Sequence, residues 1–546
     1  MRFLESGRPI ERELAGGGSH FYALALEKGQ FLDAVVDQRG IDVVIRIFAP
    51  DGGRLAEIDS PNGTQGLEPV QLEANVPGTY RIEVRSLEAN APAGRYEIRI
   101  NEILSTGAHA ARLAEDRKRR EVVVAWLRAN ALPLDTVEPG HGIEDLQPLE
   151  NVFRDVRIVG LGEETHGTSE FFRFKHRLLE FLVREMGFRV LVMEAGYAAC
   201  QGVNDYVAGR TDDGAGALAG LGFAGLNTKE IQAMLDWVRA YNAGVGEGRK
   251  VEFAGIDIQR NDAGKEKLLA FLRRVAPERV VETEAFFGVN LEELNMAATS
   301  PHERKFRDAM EKIAGLKTRY NDLIGFLESN GTRLTEKTSP AEFGRMREYA
   351  RVIVQYLDAY GRSDGSLDAA RDRHMADNFR RLVEREPAGT RFVLWAHNGH
   401  VSVSAGGALG GRLRQWYGNA YYALGFSFNH GAFQAHELYP KDPARRMLKS
   451  FRAGPAPGNT VDGALAECGI GRFLVDFRST QKNAVVDEWL STPHPMRSIG
   501  SLYAENMART CFDPVIPGRE FDGLVFLDAT TRARPNPSVK NVEPVE

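Results

Sequence analysis

Cysteine is scarce in this chain. Cys200, Cys468 and Cys511 are the three among 546 residues. Their spacing fits neither a paired metal-ligand motif nor a disulfide framework, so they read as buried thiols. Long apolar runs are missing too: none approaches the roughly 20 residues that span a bilayer. The opening Met1-Arg2-Phe3-Leu4-Glu5-Ser6 has no secretory h-region. We expect a soluble chain with no membrane partner, cytoplasmic by default and exported if a leader once preceded it. Nor is there an excess of one charge. The 69 basic and 75 acidic side chains give a formal charge of -6, too mild and too evenly spread for a surface that tracks phosphates. Nucleic acid is therefore not an expected partner. With 43% hydrophobic and 26% charged residues, the chain is globular and long enough for two or more domains.

Residues 1–103 read as a small β domain, because apolar alternation recurs in short runs broken by turn residues. Tyr80-Arg81-Ile82-Glu83-Val84 and Tyr96-Glu97-Ile98-Arg99-Ile100 are such runs, with turns at Pro50-Asp51-Gly52-Gly53 and Pro77-Gly78. A β-sandwich fits this pattern. The order of a Phe21-Tyr22 strand, a Val44-Ile45-Arg46-Ile47 strand, the Pro50-Asp51-Gly52 turn and a strand start at Gly78-Thr79-Tyr80 resembles the pre-peptidase C-terminal type of bacterial β-sandwich. That resemblance implies an accessory module, often attached to exported hydrolases, with no catalytic residues of its own.

From Ala108 to Ala129 the pattern turns helical, with a solvated Asp116-Arg117-Lys118-Arg119-Arg120-Glu121 face before Val122, Val123, Val124 and Trp126. Residues 104–135 are the expected helical linker, and 136–546 the second domain. There, apolar runs such as Val156-Arg157-Ile158-Val159, Val190-Leu191-Val192-Met193, Val251-Glu252-Phe253-Ala254 and Phe392-Val393-Leu394-Trp395 alternate with helical stretches, as a parallel sheet requires. Residues 290–386 are charged and mostly helical, without a comparable strand, and read as a helical insertion or lid. The expected fold is α/β: a mostly parallel sheet with flanking helices and a helical insertion, preceded by a small all-β sandwich.

Three stretches place acids or imidazoles directly after strand-like runs: Gly162-Glu163-Glu164-Thr165-His166-Gly167, Val192-Met193-Glu194-Ala195-Gly196 and Trp395-Ala396-His397-Asn398-Gly399-His400. In an open α/β sheet, ligands bind beyond the carboxyl ends of the strands, so these side chains can converge. Glu163, His166, Glu194, His397 and His400 are the candidate catalytic residues. A carboxylate beside an imidazole orients its tautomer and lets it take a proton from water near neutral pH. His166 is the expected general base, with Glu163 and Glu194 polarising it; alternatively a glutamate is the base and an imidazole stabilises oxyanion charge. His397 and His400 are candidates for that oxyanion or for protonating a leaving alkoxide.

In the helix that follows the first motif, Phe171, Phe172, Phe174, Leu178, Leu179, Phe181 and Leu182 recur at helical spacing, and Lys175 falls in the middle of their arc. An unpartnered ammonium there is costly, so Lys175 must meet a carboxylate, Glu163 or Glu194, or snorkel out. Asp257, in Gly255-Ile256-Asp257-Ile258-Gln259, is a further strand-end acid that equally suits a helix cap. Lys175 and Asp257 are the candidate substrate-binding residues.

The run from Leu161 to Gly196 and the Trp395-Ala396-His397-Asn398-Gly399-His400 block resemble the erythromycin esterase family, over about Thr136 to Pro535. Gly255-Ile256-Asp257-Ile258-Gln259, Phe428-Asn429-His430-Gly431-Ala432-Phe433-Gln434-Ala435 and Phe521-Asp522-Gly523-Leu524-Val525 support the likeness. The resemblance implies a hydrolase distinct from the serine-nucleophile fold, in which a histidine activates water against a macrolide lactone. No Gly-x-Ser-x-Gly elbow lies near these motifs, in agreement. It also implies that Glu163, His166, Glu194, His397 and His400 are active-site positions, and that Lys175 stands where some members carry arginine, without the planar fork. The broader expectation is a carboxylic-ester or lactone hydrolase acting on a small molecule without a cofactor; the narrower one is a macrolide esterase conferring antibiotic resistance.

Two other readings stay open. Glu163, His166, Glu194, His397 and His400 offer two carboxylates and three imidazoles, a set that could hold zinc or manganese. The chain could also be a non-catalytic binder on a degenerate hydrolase scaffold.

Overall fold

The computed structural model describes residues 1–60, 63–298, 303–362, 366–403, 407–440, 446–478 and 480–543. They form two compact units, Met1–Val122 and Val123–Glu546.

In the first unit, β1 (Arg2–Phe3), β3 (Ser19–Leu26), β5 (Val43–Phe48), β6 (Arg54–Ile58) and β8 (Gly78–Ser86) make one sheet, in the order β1-β3-β8-β5-β6. The second contains β2 (Ile10–Leu14), β4 (Phe31–Arg39), β7 (Gln65–Glu73) and β9 (Gly94–Leu104), in the order β2-β9-β4-β7. Alternate side chains of both sheets, including Tyr22, Ile45 and Ile82 from one and Leu32, Val36 and Ile98 from the other, meet in a single core. This is a β-sandwich, and each large apolar side chain buried in it contributes about 1.5–3 kcal/mol. Tyr22 and Tyr96 carry hydroxyls into the core and satisfy one another across 2.5 Å. The Pro50-Asp51-Gly52 turn forms as its composition suggests: Gly52 adopts a φ of +90°, and Asp51 Oδ1 accepts from the Gly53 amide at 2.9 Å.

The second unit begins within the helix Thr106–Asn130, whose Val123, Val124, Trp126 and Leu127 are buried in this unit's core. Its large sheet comprises β10 (Ala131–Pro133), β11 (Ile158–Leu161), β12 (Phe188–Gly196), β13 (Glu252–Asp257), β14 (Arg391–Trp395), β15 (Tyr421–Glu437), β16 (Leu448–Ala453), β17 (Arg472–Asp476), β19 (Leu502–Tyr503) and β21 (Gly523–Thr530). A separate pair joins β18 (His494–Arg497) to β20 (Phe512–Val515). The order is β10-β17-β21-β15-β11-β14-β12-β13, with β16 and β19 also on β15. From β21 to β13 the neighbours run parallel, while β17 is antiparallel to β21 and β10 to β17.

Period-two alternation sends side chains to opposite faces of this sheet. Val159, Leu161, Leu191, Met193, Val393 and Trp395 face one core, which the Ser169–Arg184 helix covers with its phenylalanines and leucines. Ile158, Val190, Val192, Phe392 and Leu394 face the other, covered by Met375, Phe379 and Leu382 of the Leu367–Arg385 helix. Gly187, at a φ of +70°, lets the chain turn from the first of these helices into β12.

Between β13 and β14, helices from Asp262–Val275 to Pro340–Tyr360 bury a core of their own, including Tyr320, Leu323, Leu327, Ile353 and Leu357. This cluster starts earlier than the expected 290–386 insertion, of which residues 299–302 and 363–365 lie outside the described residues. The Leu367–Arg385 helix, expected within the insertion, packs on the sheet instead, because its apolar stripe fits that face. Cys200, Cys468 and Cys511 are buried free thiols. Among the described residues no helix is long and apolar enough to cross a membrane.

Candidate active site

Strand register sets the stage. Leu161 lies opposite Trp395 and Leu424, and Met193 opposite Trp395, so the ends of β11 and β14 stand level with Met193 of β12 and with Leu424 inside the longer β15. The next residues therefore emerge together at the carboxyl edge. The β11 loop is bracketed by glycines for a steric reason. A Cβ on Gly167 would come within 2.0 Å of the Gln434 carbonyl oxygen, and one on Gly162 would collide with the Asn398 amide oxygen. Asn398 ties the β14 loop to β15 by accepting from the Phe426 amide at 3.0 Å and donating to its carbonyl at 2.8 Å.

Glu163 is 1% exposed and fully engaged. Its Oε1 lies 2.7 Å from His166 Nδ1, and its Oε2 accepts from Lys175 Nζ at 2.6 Å and Trp395 Nε1 at 2.8 Å. Burial works against its charge, but Lys175 and His166 outweigh it and keep the carboxyl below its ordinary range. Glu164 takes the opposite side, where Oε2 accepts from the Phe428 amide at 3.1 Å. Burial and the neighbouring Asp462 raise its pKa well above the usual value.

Lys175 is wholly buried, with Nζ 4.3 Å from the centre of the Trp395 ring. The carboxylate it requires is Glu163. Burial pushes its pKa down to about 8. A substrate-binding role does not fit this placement, because its charge is directed at Glu163 and the side chain has no exposed surface.

Glu194 is the second hub. Its Oε1 lies 2.7 Å from Arg371 Nη2 and 3.1 Å from His400 Nε2, and its Oε2 accepts from the His397 amide at 2.9 Å. Burial opposes ionisation, yet His400, Arg371 and His166 hold the carboxyl well below its ordinary value. Arg371 also grips Asp257 through Nε–Oδ1 at 3.0 Å and Nη2–Oδ2 at 2.7 Å, a two-point fork. Asp257 further accepts from the Ile258 and Gln259 amides, at 2.7 and 3.3 Å. It borders the cavity as the anchor of Arg371, and Asn261, not Asp257, stands at the N-terminus of the following helix.

His400 lies between Glu194 and Asp372, whose Oδ1 is 2.5 Å from its Nδ1. Burial alone would lower its pKa, but Glu194 and Asp372 reverse that and push it up to about 10. It is therefore a cation at neutral pH. His397 is the opposite case: burial and the His166 charge bring it down to about 4. Its Nδ1 caps the Asn398–Val401 turn by accepting from the Gly399 amide at 3.2 Å, and its Nε2 faces the Glu164 carbonyl at 3.4 Å. The backbone thus uses both ring nitrogens, which leaves it neutral beside His166, ring centre to ring centre 5.1 Å.

His166 differs from all of these. Its side chain is 24% exposed, and with Nδ1 on Glu163, Nε2 is left without a partner among the described residues. Burial opposes its charge, while the Glu163 hydrogen bond and the field of Glu194 carry its pKa above the ordinary imidazole value. A cavity of about 610 Å³ opens here, lined by His166, Glu194, Asp257, Arg371, His397 and His400 among others. That volume suits a small-molecule ligand.

Arg371 and Asp372 were not among the sequence candidates, although a usable signal existed. Arg371 falls on the stripe of Met375, Phe379 and Leu382, as Lys175 falls on the stripe of its own helix. A metal does not fit the cluster: Lys175 and Arg371 already hold the two glutamates, and His397 has no free nitrogen. Among the described residues no group of three or more His, Cys, Asp or Glu side chains is arranged to hold an ion.

The erythromycin esterase family model matches residues 183–530. The chain belongs to the erythromycin esterase family. The match contains Glu194, Asp257, Arg371, His397 and His400, with Glu163, His166 and Lys175 just before it. Erythromycin esterase type II of Escherichia coli is 25% identical over 422 residues, covering 71% of this chain and 96% of that one. A Bacillus cereus protein of known structure is similar at 24% identity with a TM-score of 0.63, covering 76% of this chain and 99% of its own. A mutant erythromycin esterase, EreC, solved in its open conformation, shares 16% identity with a TM-score of 0.55, covering 74% of this chain and 98% of that one. These structures share the fold of the second unit. Family membership supports a hydrolase of the erythromycin-esterase kind.

Proposed function

We propose that this cluster hydrolyses a carboxylic ester or lactone, with His166 as the general base. Among the catalytic candidates, every other polar side-chain atom engages a protein partner, and His166 Nε2 alone keeps a free lone pair at the cavity. That observation carries the reading. Glu163 accepts from Nδ1–H, which presents Nε2 as the acceptor and stabilises the imidazolium that forms when a water proton moves to it. The hydroxide attacks the substrate carbonyl, and oxyanion charge develops in the field of the Arg371 and His400 cations. As the intermediate collapses, the C–O bond breaks and His166 returns its proton to the departing alkoxide. The free acid and the alcohol are the products, joined in one molecule if the substrate is a lactone.

Lys175 and Trp395 hold Glu163, and Arg371 holds Glu194; these are positioning residues. The relatives' names point to erythromycin, and a macrolide lactone is the narrower substrate within this reading. A panel of aryl esters, simple lactones and macrolides tests it. Turnover of at least one member should fall roughly 100-fold or more in His166→Ala, as expected for loss of a general base. Equal turnover in that variant would overturn the assignment.

A further inference from the structure

A second cavity, of about 660 Å³, adjoins the catalytic one and shares Gln259 and Arg260 with it as wall residues. Both residues belong to the loop after β13, whose start Asp257 fixes through the Ile258 and Gln259 amides. Arg260 is itself held in place, donating to the Gly222 carbonyl at 3.0 Å with its guanidinium 5.7 Å from the centre of the Phe223 ring.

Lys265 lines this second cavity and is 8% exposed. Its Nζ donates to the Phe287 and Val289 carbonyls, both at 3.2 Å. An ammonium has three donors, so one is left over. Among the described residues no carboxylate forms an ion pair with it. Burial brings its pKa below the ordinary lysine value, against the pull of Asp262. Arg273, by contrast, is balanced by Glu284 at 2.5 Å. Asp262 and Glu266 also border the cavity, but both are exposed, where water screens them. Phe287 and Tyr356 supply an apolar wall beside Lys265. A buried cation without a counter-charge, facing an open cavity, calls for an anion that the protein itself does not supply.

We propose that the second cavity is a subsite for a carboxylate at the non-reacting end of the substrate, and that Lys265 recognises it. This rests on the ester-hydrolase reading of the first cavity. The preferred substrate then carries its scissile carbonyl beside His166 and an anionic tail that passes Arg260. Such a tail distinguishes it from a neutral or cationic ester of the same length.

The test uses the full chain and two series of probes: 4-nitrophenyl monoesters of linear dicarboxylic acids of increasing length, and the same molecules with the far carboxylate methylated. At one chain length the free carboxylate should raise kcat/KM by roughly tenfold or more, the scale of one charged hydrogen bond. In Lys265→Met the ratio between the two series should fall to about one, and in Lys265→Arg most of the preference should return. Equal rates at every length in the native protein would overturn the subsite, and His166-dependent hydrolysis would still stand. If no ester turns over, calorimetry with the free dicarboxylates decides. Binding that Lys265→Met abolishes would support the subsite while the esterase reading fails, and absence of binding would overturn the subsite as well.

Discussion

Arg371 Nη2 lies 2.7 Å from both Glu194 Oε1 and Asp257 Oδ2, so one guanidinium joins two buried carboxylates from the ends of β12 and β13. Replacing it with methionine leaves Asp257 without its cation and Glu194 with only His400, 3.1 Å away. Breaking a buried pair in this way costs on the order of 3–5 kcal/mol. Arg371→Met should therefore lower the thermal midpoint and reduce kcat together, whereas Arg371→Lys should keep the charge, lose the fork and fall between the two. Calorimetry and steady-state kinetics on the same preparations check this; a Met variant with native stability would show that the guanidinium is dispensable.

Glu163 acts on His166 through a measurable constant. The base must be neutral, so kcat/KM should rise with pH through the His166 pKa, which burial and His400 oppose but Glu163 and Glu194 hold above the ordinary imidazole value. Glu163→Gln removes one of those acids. The acidic limb of the profile should shift to lower pH while the plateau kcat falls, because the imidazolium loses its partner. A limb that stays in place would detach Glu163 from the base.

His400 links the site to stability. Its pKa in the folded chain is about 10 against an ordinary 6.5, held there by Glu194 and Asp372. Because the folded value is the higher one, its stabilising effect is complete below about pH 6.5 and fades as pH climbs towards 10. The difference in unfolding midpoint between the native protein and His400→Gln should thus be largest below that window and shrink across it. A difference that grew with pH would contradict the charged assignment.

Removal of residues 1–103 should leave hydrolysis intact. Every residue assigned to the chemistry lies in the unit Val123–Glu546, and the cut spares Val123, Val124, Trp126 and Leu127 of its core. Soluble truncated protein with no turnover would show that the sandwich participates.

Much of this architecture was legible in residue order. Runs such as Val190-Leu191-Val192-Met193 are apolar on both sides, as strands buried under helices on two faces must be, and the sandwich strands alternate because only one of their faces is buried. The charge of Lys175 in an apolar arc, where helical spacing fixes direction, pointed to a carboxylate partner, Glu163 or Glu194, and the folded chain supplies Glu163. Arg371 escaped for a different reason. Its place on the apolar stripe of its helix is visible in the sequence, but its partners Glu194 and Asp257 lie on separate strands more than 100 residues away, and helical spacing does not name them. Nor could spacing divide the labour of the imidazoles: a cation at His400 and a neutral ring at His397 follow from neighbouring carboxylates and amides that only the folded loops supply.

The strand that bears the Glu163–His166 loop also has a place in the order of assembly. β12 and β13 can pair as soon as both have left the ribosome, but β11 lies between β14 and β15, which are made much later. Until then its two edges are bare and its loop has no opposite wall. Closing so long an intervening segment is slow, so the first of the reactive groups to be synthesised is among the last to find its setting.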